Sequence, residues 1–294
     1  GENVTTGTVN TLIGSGAGDS LTDADHNVAV GYLSLSADTL GSRSTALGRS
    51  ALASQNFTSA TNSYNTAVGY FAGEAVTVGM QNTLTGGHAG GSLTDADFNV
   101  AMGYNALTTD TKGSKSVAVG YHALKTQNFT SSTDSHNTAV GYAAGESVTT
   151  GIANTFIGSV SGDANTIGGE NTALGYGALG SNVSGDRSTA IGYLALAAQN
   201  NGTTTFDADN TAVGFNAMVS MTTGTRNVAI GSNALDAADD DGRNVAIGYS
   251  ALSAMDTGNS TPYNVAVGYN AGGVITTGTG HTLIGGLAGD ALTT

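Results

Sequence analysis

Carboxylates two residues apart on an extended chain point to one side, and hard cations such as Ca²⁺ take several oxygens of this kind. The chain has that arrangement in Asp23-Ala24-Asp25-His26-Asn27, again in Asp95-Ala96-Asp97-Phe98-Asn99, and in part in Asp207-Ala208-Asp209. Neither the glycine nor the distant Glu of an EF-hand loop accompanies them, and the glycine-rich Ca²⁺ nonapeptide of other β-rolls is absent. We read them as solvated acidic turns and assign no metal ligand. Asp239-Asp240-Asp241-Gly242 is read as a turn closed by its glycine. The five histidines, His26, His88, His122, His136 and His281, never stand at ligand spacing and are expected at the surface. Ser and Asp fill the turns, but no His recurs with them, so no catalytic grouping is assigned. The expectation is a protein that is not an enzyme and needs no cofactor.

The residues between these clusters repeat. The unit reads Asn/Ser, Thr/Val, Ala/Leu, aliphatic, Gly, often Tyr, any residue, small, Leu/Gly, as in Asn27-Val28-Ala29-Val30-Gly31-Tyr32 and Asn65-Thr66-Ala67-Val68-Gly69-Tyr70. Sixteen copies run from Gly14 to Gly285 at the fifth position, mostly 17 residues apart, with steps of 21, 21, 22 and 20 at Gly48–Gly69, Gly120–Gly141, Gly192–Gly214 and Gly248–Gly268. Four coils make a cassette, approximately 10–81, 82–153 and 154–226, followed by a shorter unit 227–294. Self-similarity at a fixed short period marks a solenoid.

Within a copy the alternation has period two, the signature of a strand. The second position is Thr or Val, and the fourth is Val, Ile, Leu or Met in fifteen of sixteen copies, Thr85 being the exception. We place this β-branched, aliphatic face inside the coil. The opposite face of Ala and Gly is then smooth enough for another backbone to approach. The rest of each coil, rich in Thr, Ser, Gly, Asn and Asp, suits a short second strand bounded by turns. Sixteen stacked coils would span roughly 75 Å at about 4.8 Å each. The inserted residues should bulge outward without breaking the ladder.

Tyr holds the sixth position in nine copies and Phe215 in a tenth. This aromatic row is either a glycan-stacking strip or a packing ladder that belongs to the repeat, and we favour the ladder. Phe57 and Phe129 stand apart, in the insertions, and are the candidate lateral contacts. Asn56-Phe57-Thr58, Asn128-Phe129-Thr130 and Asn201-Gly202-Thr203 match the glycosylation pattern, as chance provides in a chain this rich in Asn and Thr.

Composition narrows the function. Gly is 45 of 294 residues with a single Pro and no Cys or Trp, which excludes collagen, disulfides and thiolate metal sites. Twenty-two acidic against 8 basic residues give a net charge of −14, so nucleic acid is not an expected partner. No stretch has the ~20 apolar residues of a membrane span. Stopping in mid-pattern at Leu292-Thr293-Thr294, the sequence reads as a piece of a longer product.

The Asn-Thr-Ala-Val-Gly-Tyr-x-Ala-Leu motif at 17-residue spacing resembles the repeats of bacteriophage tail fibres, especially of marine phages. More loosely, it is similar to the Ser-Val-Ala-Ile-Gly head repeats of trimeric autotransporter adhesins. The resemblance covers Asn10 to Gly289. It implies an all-β fold, a parallel β-solenoid or β-roll of about sixteen coils, wound as an intertwined or side-by-side homotrimer. The expected function is a structural shaft in the virion that displays a host-receptor-binding tip, with a receptor or glycan bound through segments outside Gly1–Thr294. The alternatives are a bacterial adhesin head at the cell surface and, motivated by the Thr column, an ice-binding solenoid.

Overall fold

A computed structural model describes residues 1–200, 202–258 and 261–293, and among them it contains β-strands and turns but no helix. The chain forms two compact units, 1–150 and 151–294, each a parallel β-solenoid of eight coils. The first unit holds β1 (Thr11–Ile13), β2 (Val28–Val30), β3 (Gly41–Ser42), β4 (Thr45–Leu47), β5 (Thr61–Asn62), β6 (Thr66–Val68), β7 (Thr83–Thr85), β8 (Val100–Met102), β9 (Gly113–Ser114), β10 (Val117–Val119), β11 (Thr133–Asp134) and β12 (Thr138–Val140). The second holds β13 (Thr155–Ile157), β14 (Thr172–Leu174), β15 (Gly185–Asp186), β16 (Thr189–Ile191), β17 (Phe206–Asp207), β18 (Thr211–Val213), β19 (Val228–Ile230), β20 (Val245–Ile247), β21 (Val265–Val267) and β22 (Thr282–Ile284).

Every three-residue strand comprises positions two to four of one repeat, and within each unit it pairs in parallel with the same positions of the next coil. Thr11, Leu12 and Ile13 face Val28, Ala29 and Val30. The register survives the insertions, since Thr45, Ala46 and Leu47 still face Thr66, Ala67 and Val68 across a 21-residue step. Among the described residues a second strand forms only where an inserted coil pairs with the 17-residue coil before it, as β3 with β5, β9 with β11 and β15 with β17. The other coils complete their circuit through turns, which corrects the expectation of a second strand in each.

The larger correction concerns the faces. The alanines of the third position, Ala29, Ala46, Ala67 and Ala101 among them, are fully buried, whereas Val140 is 36% and Leu174 47% exposed. Val30, Val68 and Val119 are half-exposed. Thus the aliphatic columns look outward and the alanines line the interior. A 17-residue coil is too narrow for two facing walls of branched side chains. One wall supplies Ala, and the bulk comes from the ninth position opposite, where Leu35, Leu52, Leu107, Leu124, Leu179 and Leu196 are fully buried.

Every large third-position residue is matched by glycine across this lumen. Four coils carry a large residue at the third position, Leu12, Leu84, Phe156 and Leu283, and in those coils the ninth is glycine: Gly18, Gly90, Gly162 and Gly289. A Cβ added at Gly18 or Gly90 would lie 2.7 Å from Leu12 or Leu84 of its own coil, and one at Gly162 2.5 Å from Phe156. At each of these glycines the facing side chain would have to move aside, which a close-packed interior resists. Gly73, one coil before Leu84, is constrained in the same way at 2.6 Å.

Asparagine at the first position has an equally specific task. Asn27 is buried; its Oδ1 accepts the Ser44 N–H at 2.8 Å and its Nδ2 donates to the Gly41 carbonyl at 2.9 Å. The same two bonds recur at Asn171, to the Ser188 N–H and the Gly185 carbonyl. Each amide therefore ties its own coil to the next and satisfies backbone groups that the short strands leave over. Glycine at the fifth position is required twice. Gly31 has φ 136°, and a Cβ there would meet the Gly48 carbonyl oxygen at 2.5 Å. The close approach expected at this position is made by the next coil of the same chain. Non-glycine residues also turn the coil in the left-handed region, for example Leu33, Leu35 and Arg43 at φ 55°, 50° and 65°. Their amides are held by neighbouring coils, Leu33 by the Ser15 carbonyl and Leu35 by that of Ala51, which is how such backbone is maintained.

Candidate interaction faces

The outward face of the main sheet consists of the second and fourth positions. No charged residue occurs at either position in any of the sixteen coils. Ile157, Leu174 and Ile230 are exposed on one unit and Leu47, Met102 and Val140 on the other. Beside each strand, past the fifth-position glycine, stands the aromatic column. Tyr104, Tyr121 and Tyr142 stack with ring centroids 5.8 and 5.3 Å apart, and Tyr176, Tyr193 and Phe215 at 5.4 and 5.3 Å, with interplanar angles between 5° and 18°. Rings inside such a run spend their faces on one another and offer solvent their edges, an arrangement that supports the packing-ladder reading. Arg49 takes the place of a ring in the third coil, its guanidinium 5.8 Å from the Tyr32 ring and 5.5 Å from that of Tyr70.

The acidic turns bond to neighbouring coils of the chain. Asp23 accepts from the Thr6 hydroxyl at 2.6 Å, and Asp25 from the Thr8 amide at 2.6 Å and the Thr8 hydroxyl at 2.8 Å. The Thr8 amide, then its hydroxyl, hold the Asp25 carboxyl below the usual range, with His26 and Arg43 adding smaller pulls against a partial desolvation. Asp97 accepts the Met80 amide at 2.7 Å, and Asp95 sits 3.5 Å from Lys112. Asp207 and Asp209 both pair with Arg187. In the triple-acid turn Asp241 is buried and accepts the Thr257 amide at 2.9 Å. Among the described residues no three His, Cys, Asp or Glu side chains converge as a metal site would need. His26 and His136 are exposed; His88, His122 and His281 are half-buried, and His122 Nδ1 lies 3.0 Å from Glu146.

The insertions differ from their expected role. Phe57 and Phe129 are buried, at 5% and 7% exposure, and so are not lateral contacts. Each packs where a glycine makes room: a Cβ at Gly41 would lie 2.7 Å from Phe57, and one at Gly113 2.8 Å from Phe129. Beneath Phe57 a buried carboxylate anchors the loop. Asp38 Oδ1 accepts the Gly41 and Phe57 amides at 3.0 Å each, and Oδ2 accepts the Gln55 side-chain amide at 2.6 Å. Burial pushes the Asp38 carboxyl up, and the Gln55, Phe57, Gly41 and Thr39 hydrogen bonds oppose it. Asp110, Gln127 and Phe129 repeat the arrangement, while the third cassette uses a neutral Asn182 whose Oδ1 accepts the Gly185 amide at 2.9 Å. The solvent-facing part of the first insertion is Thr58, Ser59 and Ala60. Asn56 is exposed and Asn128 half-buried, while Asn201 lies outside the described residues.

No family model matches the chain, and no curated protein or solved structure is significantly similar to it.

Proposed function

We propose that the chain is the structural shaft of a bacteriophage tail fibre, non-enzymatic and homotrimeric, which holds a host-receptor-binding tip away from the virion. The observation that carries this reading is the outward aliphatic face. An exposed apolar strip of such regularity calls for an occupant. That occupant has to repeat at the pitch of the coils, and a second copy of the same chain does so by construction. The strip is free of charge, so the net charge of −14 lies elsewhere and copies do not repel one another across it. Closure by three-fold symmetry lets every copy cover the face of a neighbour. The assignment to a tail fibre, and thereby to the virion, rests on the likeness of the Asn-Thr-Ala-Val-Gly-Tyr repeat to such fibres.

Sedimentation equilibrium tests the assembly: the expected mass is three times the 28.9 kDa of one chain. Lysine at both Val119 and Val140 should yield single chains with an unchanged circular dichroism spectrum, because both side chains point away from the lumen. Antibodies raised against the chain should decorate the fibres of intact virions. A native chain sedimenting as one copy refutes the trimer, and bare virion fibres refute the location.

The outward position of the threonines favours a second reading. Ten of the sixteen second positions are Thr, and they form a hydroxyl-and-methyl array facing water as an ice-binding surface would. That reading requires thermal hysteresis from single chains. An adhesin head would instead make the isolated chain bind host matrix directly, where a shaft does not.

A further inference from the structure

Each of the first two insertions closes over a buried polar cluster. In the first, Asp38, Ser44, Gln55, Ser63 and Asn65 are at most 1% exposed, and the Gln55 side-chain amide is the centre. Its Nε2 donates to Asp38 Oδ2 at 2.6 Å and to Ser44 Oγ at 2.8 Å, and its Oε1 accepts from Asn65 Nδ2 at 2.9 Å. Ser44 Oγ lies 2.5 Å from Ser63 Oγ, which donates its own proton to the Ser42 carbonyl. Ser44 therefore gives its proton to Ser63 and turns a lone pair towards the amide. With an amide C–N bond of about 1.33 Å, Ser44 Oγ stands at most about 4.1 Å from Gln55 Cδ.

Gln55 thus has a hydroxyl against its amide, a donor on its carbonyl oxygen and a carboxyl on its nitrogen. Acyl transfer needs these three groups: a nucleophile, a stabiliser of the oxyanion and an acid for the leaving group. The set recurs in the second cassette. Gln127 Nε2 donates to Asp110 Oδ2 at 2.6 Å and to Ser116 Oγ at 3.0 Å, and Asn137 Nδ2 donates to Gln127 Oε1 at 2.9 Å. In the third cassette Gln199 keeps its contacts with Ser188 and Asn210, but Asn182 stands in place of the carboxylate. Asn182 accepts the Gly185 amide as Asp38 accepts that of Gly41, so anchoring the loop does not require an acid. A buried carboxylate is costly, and its presence in two cassettes points to a chemical role.

We propose that Ser44 and Gln55, and likewise Ser116 and Gln127, react to form ester cross-links within the chain. Ser44 Oγ attacks Gln55 Cδ, the Cδ–Nε2 bond breaks, and the nitrogen leaves as ammonia. Asp38 in its acid form protonates the departing nitrogen, and the proton lost by Ser44 restores the acid, so no outside reactant is consumed. Burial holds the Asp38 carboxyl above its ordinary value and favours that acid form. The same burial keeps water from the ester once it has formed. Each cross-link ties a coil to its insertion in a chain that has no cysteine with which to form a disulfide. The reaction occurs once at each site inside one chain, so it depends neither on the fibre location nor on the number of copies.

The test is mass spectrometry of the full chain. Its intact mass should fall short of that of its sequence by two molecules of ammonia. Trypsin should then release residues 44–49 joined to 50–112 and 116–125 joined to 126–187, while 188–226, which contains both Ser188 and Gln199, shows no loss of ammonia. Hydroxylamine, which cleaves esters, should part each joined pair. Ser44→Ala and Asp38→Asn should each free 44–49 and leave the second pair joined. Asp38→Asn copies the third cassette, so the loop keeps its anchor. The proposal is overturned if the native chain has the full mass of its sequence, or if 44–49 stays joined in Ser44→Ala.

Discussion

Replacing Leu84 by Ala tests the lumen directly. Leu84 is fully buried and projects into a space that Gly90 of its own coil and Gly73 of the preceding one leave open. Neither glycine has a side chain with which to fill the loss, and the backbone on both sides is fixed by the ladder, so the cavity cannot collapse. Leu→Ala substitutions cost about 2–5 kcal/mol depending on such relaxation, and the upper half of that range is expected here. Gly90→Leu alone should also destabilise, because a Cβ there already lies 2.7 Å from Leu84 and 2.9 Å from Leu93. The triple variant Leu84→Ala, Gly90→Leu, Leu93→Ala recreates the set that coil thirteen carries as Ala229, Leu235 and Ala238. It should recover most of the loss, since Leu235 adopts φ 54° and Gly90 has φ 56°. Denaturant unfolding gives the global cost, and amide exchange in coils four to six localises it, since the stability of a stacked array is distributed over neighbouring coils. The reasoning fails if Leu84→Ala costs under about 1 kcal/mol, or if the triple variant is no more stable than the worse of its single changes.

Two further outcomes follow from buried polar groups. Asn171→Ala strands the Ser188 amide and the Gly185 carbonyl and should cost about 2–3 kcal/mol in denaturant unfolding, against little for the exposed Asn56. Asp38 has its carboxyl raised above the ordinary 3.8 by burial, so its contribution is fully present below the unfolded value and is lost as the pH rises through the folded one. Asp38→Asn should therefore flatten the pH dependence of stability from 3.8 upward, and a variant whose unfolding midpoint keeps the native pH slope would count against the assignment.

The period, the strand positions and the register were legible because each is a property of spacing. Residues 17 apart stack, and insertions such as Thr58 to Ala60 are expelled without moving Thr66 away from Thr45. Which face turns inward was not legible from alternation, because a period of two separates two faces without saying which encloses the lumen. Hydrophobicity favours the aliphatic face, and the narrowness of the coil overrules it. A signal was present nonetheless. Leu84 with Gly90 and Phe156 with Gly162, against Ala29 with Leu35, trade size across a coil, and glycine also stands at the ninth position of the coil before Leu84 and of that before Phe156, Gly73 and Gly145, as residues sharing one space with the next coil must. Phe57 and Phe129 were placed outside because they belong to insertions. Their complements, Gly41 and Gly113, recur with them in the sequence, and only geometry reveals that the ring lies against the glycine. Likewise, that Thr6 and Thr8 of the coil before would each bond one oxygen of Asp23 and Asp25 could be seen only once the 17-residue stacking was known.

The inversion of faces decides more than the interior. A coil that buries Ala and one Leu removes less apolar surface than one that buries Val and Ile together, at about 25 cal/mol per Å². Each coil is therefore lightly cored, and much of its stability has to come from amide ladders such as that of Asn27, which bind a coil to its neighbours. The aliphatic side chains excluded from the lumen stand in uniform columns on a surface where a globular protein would place charge. Left bare, such columns would promote indiscriminate association. Kept free of charge while the acidic residues gather in the turns, they would, on the proposed shaft reading, direct association to one face and to a partner of the same pitch. The same chemistry that empties the lumen of branched side chains thus supplies the surface on which the proposed trimer depends.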